Sequence, residues 1–318
     1  MRLLWAILAS AAAPAAAEVA FLDLPLDCTL GKTCFIEDYV DADPGPGQAD
    51  YACGLKSRDG HRGTDIALLS FDAMAAGVPV RAAAAGRVDA LRDGMTDRPY
   101  SPEIAEELRG RECGNAVRIV HGNGYQTLYC HMKMGSVAVT PGTVVAAGDV
   151  LGLVGLSGQT NYPHVHISVL KDGQPVDPFN PAAEPGCDTN RETLWKEPIP
   201  YERTGLFTAG FSDRVPEFSE VQSGAARARD LQPDQPMVLY GHAFHAEPGD
   251  VLHLSASGPE GPVFDRSVLI EDSQAQMFRA FGKRAPAGGW PAGAYRGYVR
   301  LMRGETVIAI RHADVTVR

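Results

Sequence analysis

The chain has 318 residues, and its 39 Asp and Glu against 29 Lys and Arg leave a formal net charge of −10. That length exceeds a usual single domain, so two units with separate cores are expected. An acidic chain without a clustered basic stripe is a poor match for phosphate, which sets nucleic-acid binding aside.

The first residues read as an export signal. Met1-Arg2 gives a positive start, Leu3 to Ala11 an apolar run, and Ala15-Ala16-Ala17 a small-residue cleavage site. The apolar run is too short to span a bilayer, so residues 1–17 are expected to be removed as a signal peptide. A retained N-terminal anchor is the alternative, and no later apolar run is long enough to cross a membrane. Export places the protein in the periplasm or outside the cell, where Cys28, Cys34, Cys53, Cys113, Cys130 and Cys187 become disulfide candidates. Six cysteines allow about fifteen pairings. Spacing favours Cys28 with Cys34 around a short loop and Cys113 with Cys130 across a hairpin, leaving Cys53 with Cys187.

Residues 18–50 are rich in Asp, Gly and Pro and are expected to form an irregular arm held by cysteines rather than by a core. Strand-like segments follow at Thr64 to Leu69, Pro79 to Ala84, Arg87 to Leu91, Ala116 to Val120, Gln126 to His131, Val150 to Leu153 and His164 to Leu170. One stretch differs: Pro102 to Arg109 carries apolar residues at helical spacing and predicts a short surface helix. His121-Gly122-Asn123-Gly124-Tyr125 reads as the turn of a hairpin, here a two-residue turn centred on Gly122 and Asn123. With that turn Cys113 and Cys130 sit diagonally, so their bridge needs a local adjustment. Alternation then sets Tyr129 and His131 on one face, Tyr129 either donating into a groove or packed as a strand tyrosine.

Residues 187–205 lose all pattern and read as a linker. From 206 to 318, short strands such as Met237 to Tyr240, Val251 to Leu254, Ala294 to Leu301 and Val307 to Ile310 recur between Pro and Gly turns without helical spacing. That pattern predicts an immunoglobulin-like β-sandwich, with His242 and His245 on its surface.

Four imidazoles and a carboxylate stand out in the first unit. His61 and Asp65 form an H-x-x-x-D at the start of a strand, His131 ends the hairpin, and His164 and His166 share one strand face. Each motif alone is weak, and on spacing alone His164 and His166 are equivalent. Together they exceed the three ligands that a catalytic zinc needs, and the surplus suits hydrolysis, which requires a proton acceptor and a donor to the oxyanion.

The stretches Gly60-His61-Arg62-Gly63-Thr64-Asp65, Pro79 to Val88, Gly114 to Tyr125, Leu128-Tyr129-Cys130-His131 and Pro163-His164-Val165-His166 resemble the M23 metallopeptidases of the lysostaphin and LytM type. The resemblance covers about residues 51–181. It implies a mainly β protein whose catalytic domain, 51–186, is an open antiparallel β-groove. It also implies Zn2+ held by His61, Asp65 and His166, with His131 and His164 as catalytic histidines, acting as an endopeptidase on peptidoglycan stem peptides. The chain departs from the family where Gly158 to Pro163 replaces a Ser-Thr-Gly-Pro run, and where Ser168 stands in place of a Glu or Gln. A non-catalytic LytM-type activator of cell-wall amidases and a secreted zinc protease acting on proteins are the other readings. A cell-wall or protein partner is expected for the C-terminal unit.

Overall fold

The computed structural model describes residues 21–318, so the expected signal peptide lies outside the described residues. Ten strands precede residue 180: β1 Cys34–Asp38, β2 Thr64–Leu68, β3 Pro79–Arg81, β4 Gly86–Arg92, β5 Asn115–Val120, β6 Tyr125–Met132, β7 Val144–Val145, β8 Val150–Leu153, β9 His164–Lys171 and β10 Gln174–Val176. Eight of them form one antiparallel sheet in the order β1-β2-β9-β6-β5-β4-β7, with β10 beside β9; β3 and β8 pair separately.

Strand β9 shows why the sheet has two unlike faces. Val165, Ile167 and Val169 are fully buried on one face, against Val80, Ala83 and Leu151 of the small β3/β8 layer. His164, His166 and Ser168 alternate onto the other face, as the two-residue period of a strand requires. Tyr129 also points into the core: its hydroxyl accepts from the Ala83 N–H at 2.7 Å and from Thr127 Oγ1 at 3.0 Å. It is a packed strand tyrosine, and His131 does not share its face. His131 adopts φ +62°, a left-handed conformation rare outside glycine, which breaks the alternation at the strand end.

The hairpin loop has three residues, Gly122–Gly124, with Asn123 at φ +58°, so the turn centres on Asn123 and the strand pairing shifts by one residue from that of the two-residue turn expected. The disulfides are Cys28–Cys34, Cys53–Cys187 and Cys113–Cys130, the pairs that spacing favoured. The expected surface helix is a 3-10 turn, Pro102–Ile104, running into a single helical turn.

Two segments expected to be irregular are structured. Cys34–Asp38 of the arm forms the edge strand β1, antiparallel to β2, with Cys34, Phe35 and Ile36 buried. In the expected linker, Leu194 and Trp195 are buried, and Leu194 receives the N–H groups of Phe21 and Leu22. Pairing with neighbours distant in sequence supplies the order that local composition does not.

Beyond residue 204 lie β11 Gly205–Ser212, β12 Asp230–Leu231, β13 Met237–Ala246, β14 Asp250–Gly258, β15 Gly261–Leu269, β16 Gln274–Lys283, β17 Gly293–Arg303 and β18 Thr306–Val317. They form two sheets, β11-β13-β16 and β12-β18-β17-β14-β15. Leu206, Phe211 and Leu239 of the first share a core with Leu254, Val299 and Ile310 of the second. A short helix, Phe218–Ser223, occurs where no helical spacing was read; Glu217 and Glu220 close it with a reciprocal capping box. His242, expected on the surface, is buried. Phe35, Ala67 and Tyr162 of the first unit belong to this same core, so the C-terminal sheets cover one end of the groove face.

Candidate functional site

Sheet register assembles the site. Asp65 of β2 lies directly opposite His166 of β9, and His166 lies opposite Cys130 of β6, one residue before His131. Directly opposed residues of adjacent strands project side by side on one face. His61 enters from the turn ahead of β2. Gly63 is required beside it, because a Cβ there would meet the His166 ring at 2.5 Å.

The structure brings all five predicted residues together. Ligand atoms of His61, Asp65 and His166 lie within 4.8 Å of one another. His61 Nε2 is 3.1 Å from His166 Nδ1 and 3.2 Å from Asp65 Oδ2, and His166 Nδ1 is 2.7 Å from Asp65 Oδ1. The His164 ring stands 4.7 Å from the His131 ring, and its Nε2 is 3.6 Å from Asp65 Oδ1.

Second nitrogens fix which face of each ring looks inward. His61 Nδ1 donates to the Tyr39 carbonyl at 2.7 Å, His131 Nδ1 to Ser157 at 2.8 Å and His164 Nδ1 to Tyr162 at 2.8 Å. His166 is reversed: its Nε2 lies 2.9 Å from the Ser168 hydroxyl, which can donate or accept, and its Nδ1 faces Asp65. The carbonyl partners assign the other three tautomers and turn the Nε2 lone pairs of His61, His131 and His164 inward. His61 Nε2 and His166 Nδ1 then meet each other and a carboxylate. Two imidazoles and one carboxylate are the ligand types zinc takes.

Electrostatics agree with that reading. Burial alone would raise the Asp65 carboxyl, but Arg58 and then the imidazoles hold it well below the carboxylate range. Burial lowers His61, yet Asp65 outweighs it and raises the ring above its ordinary value. His131 is pushed well down by burial and by His164 and His166, and His166 is lowered mainly by burial. Both rings are therefore neutral near pH 7, as a base or a ligand must be.

Sequence spacing missed Arg58 and read Ser168 only as a departure. Arg58 Nη2 donates to Asp65 Oδ2 at 2.6 Å and pairs with Asp38 through its other arm, while Ser168 Oγ lies 2.9 Å from His166 Nε2. Arg58 precedes His61 by three residues but sits in a loop, so no periodicity marks it.

Residues 59–178 match Peptidase family M23. That stretch is an M23 domain and covers less than half of the chain. The DD-carboxypeptidase/endopeptidase Mpg of Neisseria meningitidis is 44% identical over 69 residues, 22% of this chain and 15% of the relative. The peptidoglycan DD-endopeptidase ShyA of Vibrio cholerae is 33% identical over 117 residues, 37% of this chain and 22% of that one. The chain thus spans under a quarter of the length of these relatives. Among solved structures, the catalytic domain of the prophage-encoded M23 protein EnpA from Enterococcus faecalis is 24% identical with a TM-score of 0.32, covering 47% of this chain and 92% of that one.

Proposed function

We propose that this M23 protein is a zinc-dependent endopeptidase that hydrolyses peptide crosslinks of peptidoglycan, with His61, Asp65 and His166 holding the metal and His131 and His164 catalysing. The convergence of two imidazoles and a buried carboxylate carries the proposal, within a domain whose relatives are named for peptidoglycan endopeptidase activity. Zinc at that position supplies a Lewis acid that polarises the scissile carbonyl and acidifies water. His164 Nε2, buried and without a hydrogen-bond partner, takes a proton from the attacking water and delivers it to the leaving amine. The proton taken by His164 supports the developing oxyanion before it reaches the amine, and His131, its ring 4.7 Å from that of His164, is the second catalytic histidine. The Nδ1–H bonds to Ser157 and Tyr162 hold both rings in the orientation these transfers need.

In this reading residues 1–17 export the protein, 51–186 carry the chemistry, and 206–318 form a second unit. Three disulfides favour the periplasm or the medium, where oxidised cysteines persist. No helix among the described residues is long and apolar enough to cross a membrane.

The test is to measure zinc in the purified protein and to incubate it with sacculi, identifying fragments by mass spectrometry beside Asp65→Ala. Cleavage between stem peptides by the wild type alone is expected. Intact stems released from glycan would show an amidase instead, and identical fragments from both proteins would end the proposal.

A further inference from the structure

A cavity of about 540 Å3 opens beside the catalytic cluster. Arg58, Asn161 and His164 line it from the M23 domain; Phe207, Arg227 and Phe244 line it from the C-terminal sheets. The Phe207 and Phe244 rings lie 4.6 Å apart and give it an apolar flank. A second cavity, about 530 Å3, shares Phe207, Thr208 and Arg227 with the first and is also lined by His242 and Gln276. The two cavities adjoin at these three residues.

Charges along the first cavity do not cancel. Its carboxylates are Glu37 and Asp38, and its guanidiniums are Arg58, Arg227 and Arg311. Arg311 pairs with Glu37 and lies 3.8 Å from Asp38, while Arg58 bridges Asp38 and Asp65. Arg227 is left over. Its Nη2 donates to the Thr208 hydroxyl and to the Ala209 carbonyl at 3.2 Å, both uncharged, and the side chain has no carboxylate partner among the described residues. A planar guanidinium without a carboxylate partner, exposed on the wall that both cavities share with Phe207 and Thr208, can take a carboxylate in a bidentate grip.

We infer that the C-terminal sheets complete the substrate cleft and that Arg227 is a specificity-determining residue, anchoring a free carboxylate of the bound peptide while the scissile bond lies at His164. This rests on the endopeptidase reading for its substrate class. Stem peptides of peptidoglycan are branched by free carboxylates, so an acidic peptide is the ligand that the unpaired charge selects.

Two synthetic crosslinked stem-peptide dimers test the inference, one with free carboxylates and one with those groups converted to carboxamides. Calorimetry on chelator-treated full-length protein reads binding without turnover, and zinc-loaded protein reads kcat and KM. A hydrogen-bonded charge at this site is expected to give the carboxylate dimer at least about a tenfold lower Kd. Arg227→Gln is expected to bind both dimers at the amide level, raising KM for the carboxylate form with kcat kept; Arg227→Lys falls between. Thr208→Val removes the hydroxyl contact without the charge and keeps the discrimination. Equal binding of the two dimers by the wild type, or discrimination that survives in Arg227→Gln, overturns the inference. If zinc-loaded protein cuts neither dimer, the endopeptidase reading falls, and the binding comparison still decides Arg227.

Discussion

Ser168 Oγ lies 2.9 Å from His166 Nε2, and that contact orients the ring with Nδ1 toward Asp65. Removing it frees the ring to turn, and loss of such a supporting bond costs about 10–100-fold in metal affinity. Ser168→Ala is therefore expected to weaken zinc binding by roughly that factor in competition with a chromogenic chelator. Ser168→Gln, which restores an acceptor, should recover much of it, and an unchanged affinity in Ser168→Ala would show the hydroxyl to be a bystander. Asp177 makes a separate prediction about stability. Burial, then the Asp50 charge, push its carboxyl up from 3.8 to about 7, while the Phe179 N–H at 2.9 Å works the other way. The folded chain thus binds a proton that the unfolded chain has already lost. Its contribution is complete below the unfolded value near 3.8 and is lost as pH climbs through about 7. Asp177→Asn should therefore gain stability relative to wild type between pH 5 and pH 8, on the order of 2 kcal/mol, in urea unfolding at both pH values. Parallel profiles for the two proteins would refute the shift.

Elements were legible where their own side chains specify both faces. In β9, Val165, Ile167 and Val169 alternate with His164, His166 and Ser168, and the pattern alone gives the strand and the shared face of the two imidazoles. β1 had no such signature, since five residues between Cys28 and a Gly-Pro run acquire strand geometry from pairing with β2. Alternation also misplaces His131. The residue turns through a left-handed conformation as its N–H bonds the Cys113 carbonyl at 2.9 Å, beside the Cys113–Cys130 bridge. A period-two rule carries no information about where a strand stops obeying it. Short helices were missed for a related reason: Phe71–Ala76 buries no residue and is held by the Ser70 cap, so it shows no apolar stripe.

At the scale of the molecule, the two sequence regions are joined by more than a linker. Phe35, Ala67 and Tyr162 lie in the C-terminal core, the Tyr162 ring stacks on His312 at 5.4 Å, and Lys56, buried, donates to Thr204 and Ile308 carbonyls at 3.4 and 3.3 Å. A chain ending at residue 205 would expose these groups, at about 1.5–3 kcal/mol for each large apolar side chain, and would strip Lys56 of the Ile308 carbonyl. It is expected to be aggregated or to bind the dye ANS strongly. A soluble monomer with the melting temperature of the full chain would show that the first unit stands alone. Tyr162 also carries the carbonyl that orients His164, so the C-terminal sheets bear on the site through the loop where this chain departs from its family.

The sequence by itself marked the longer strands of the M23 domain, favoured the three disulfide pairs and singled out five side chains that the fold brings close together. Alternation, loop length and ordered motifs are local properties, and they survive whatever the rest of the chain does. Only the tertiary structure decided the tautomers of His61, His131 and His164, the grip of Arg58 on Asp65, the strand within the arm and the cavity wall supplied by Phe207 and Arg227. Each of these depends on atoms brought together from distant positions, where no spacing in the chain records who the neighbour will be.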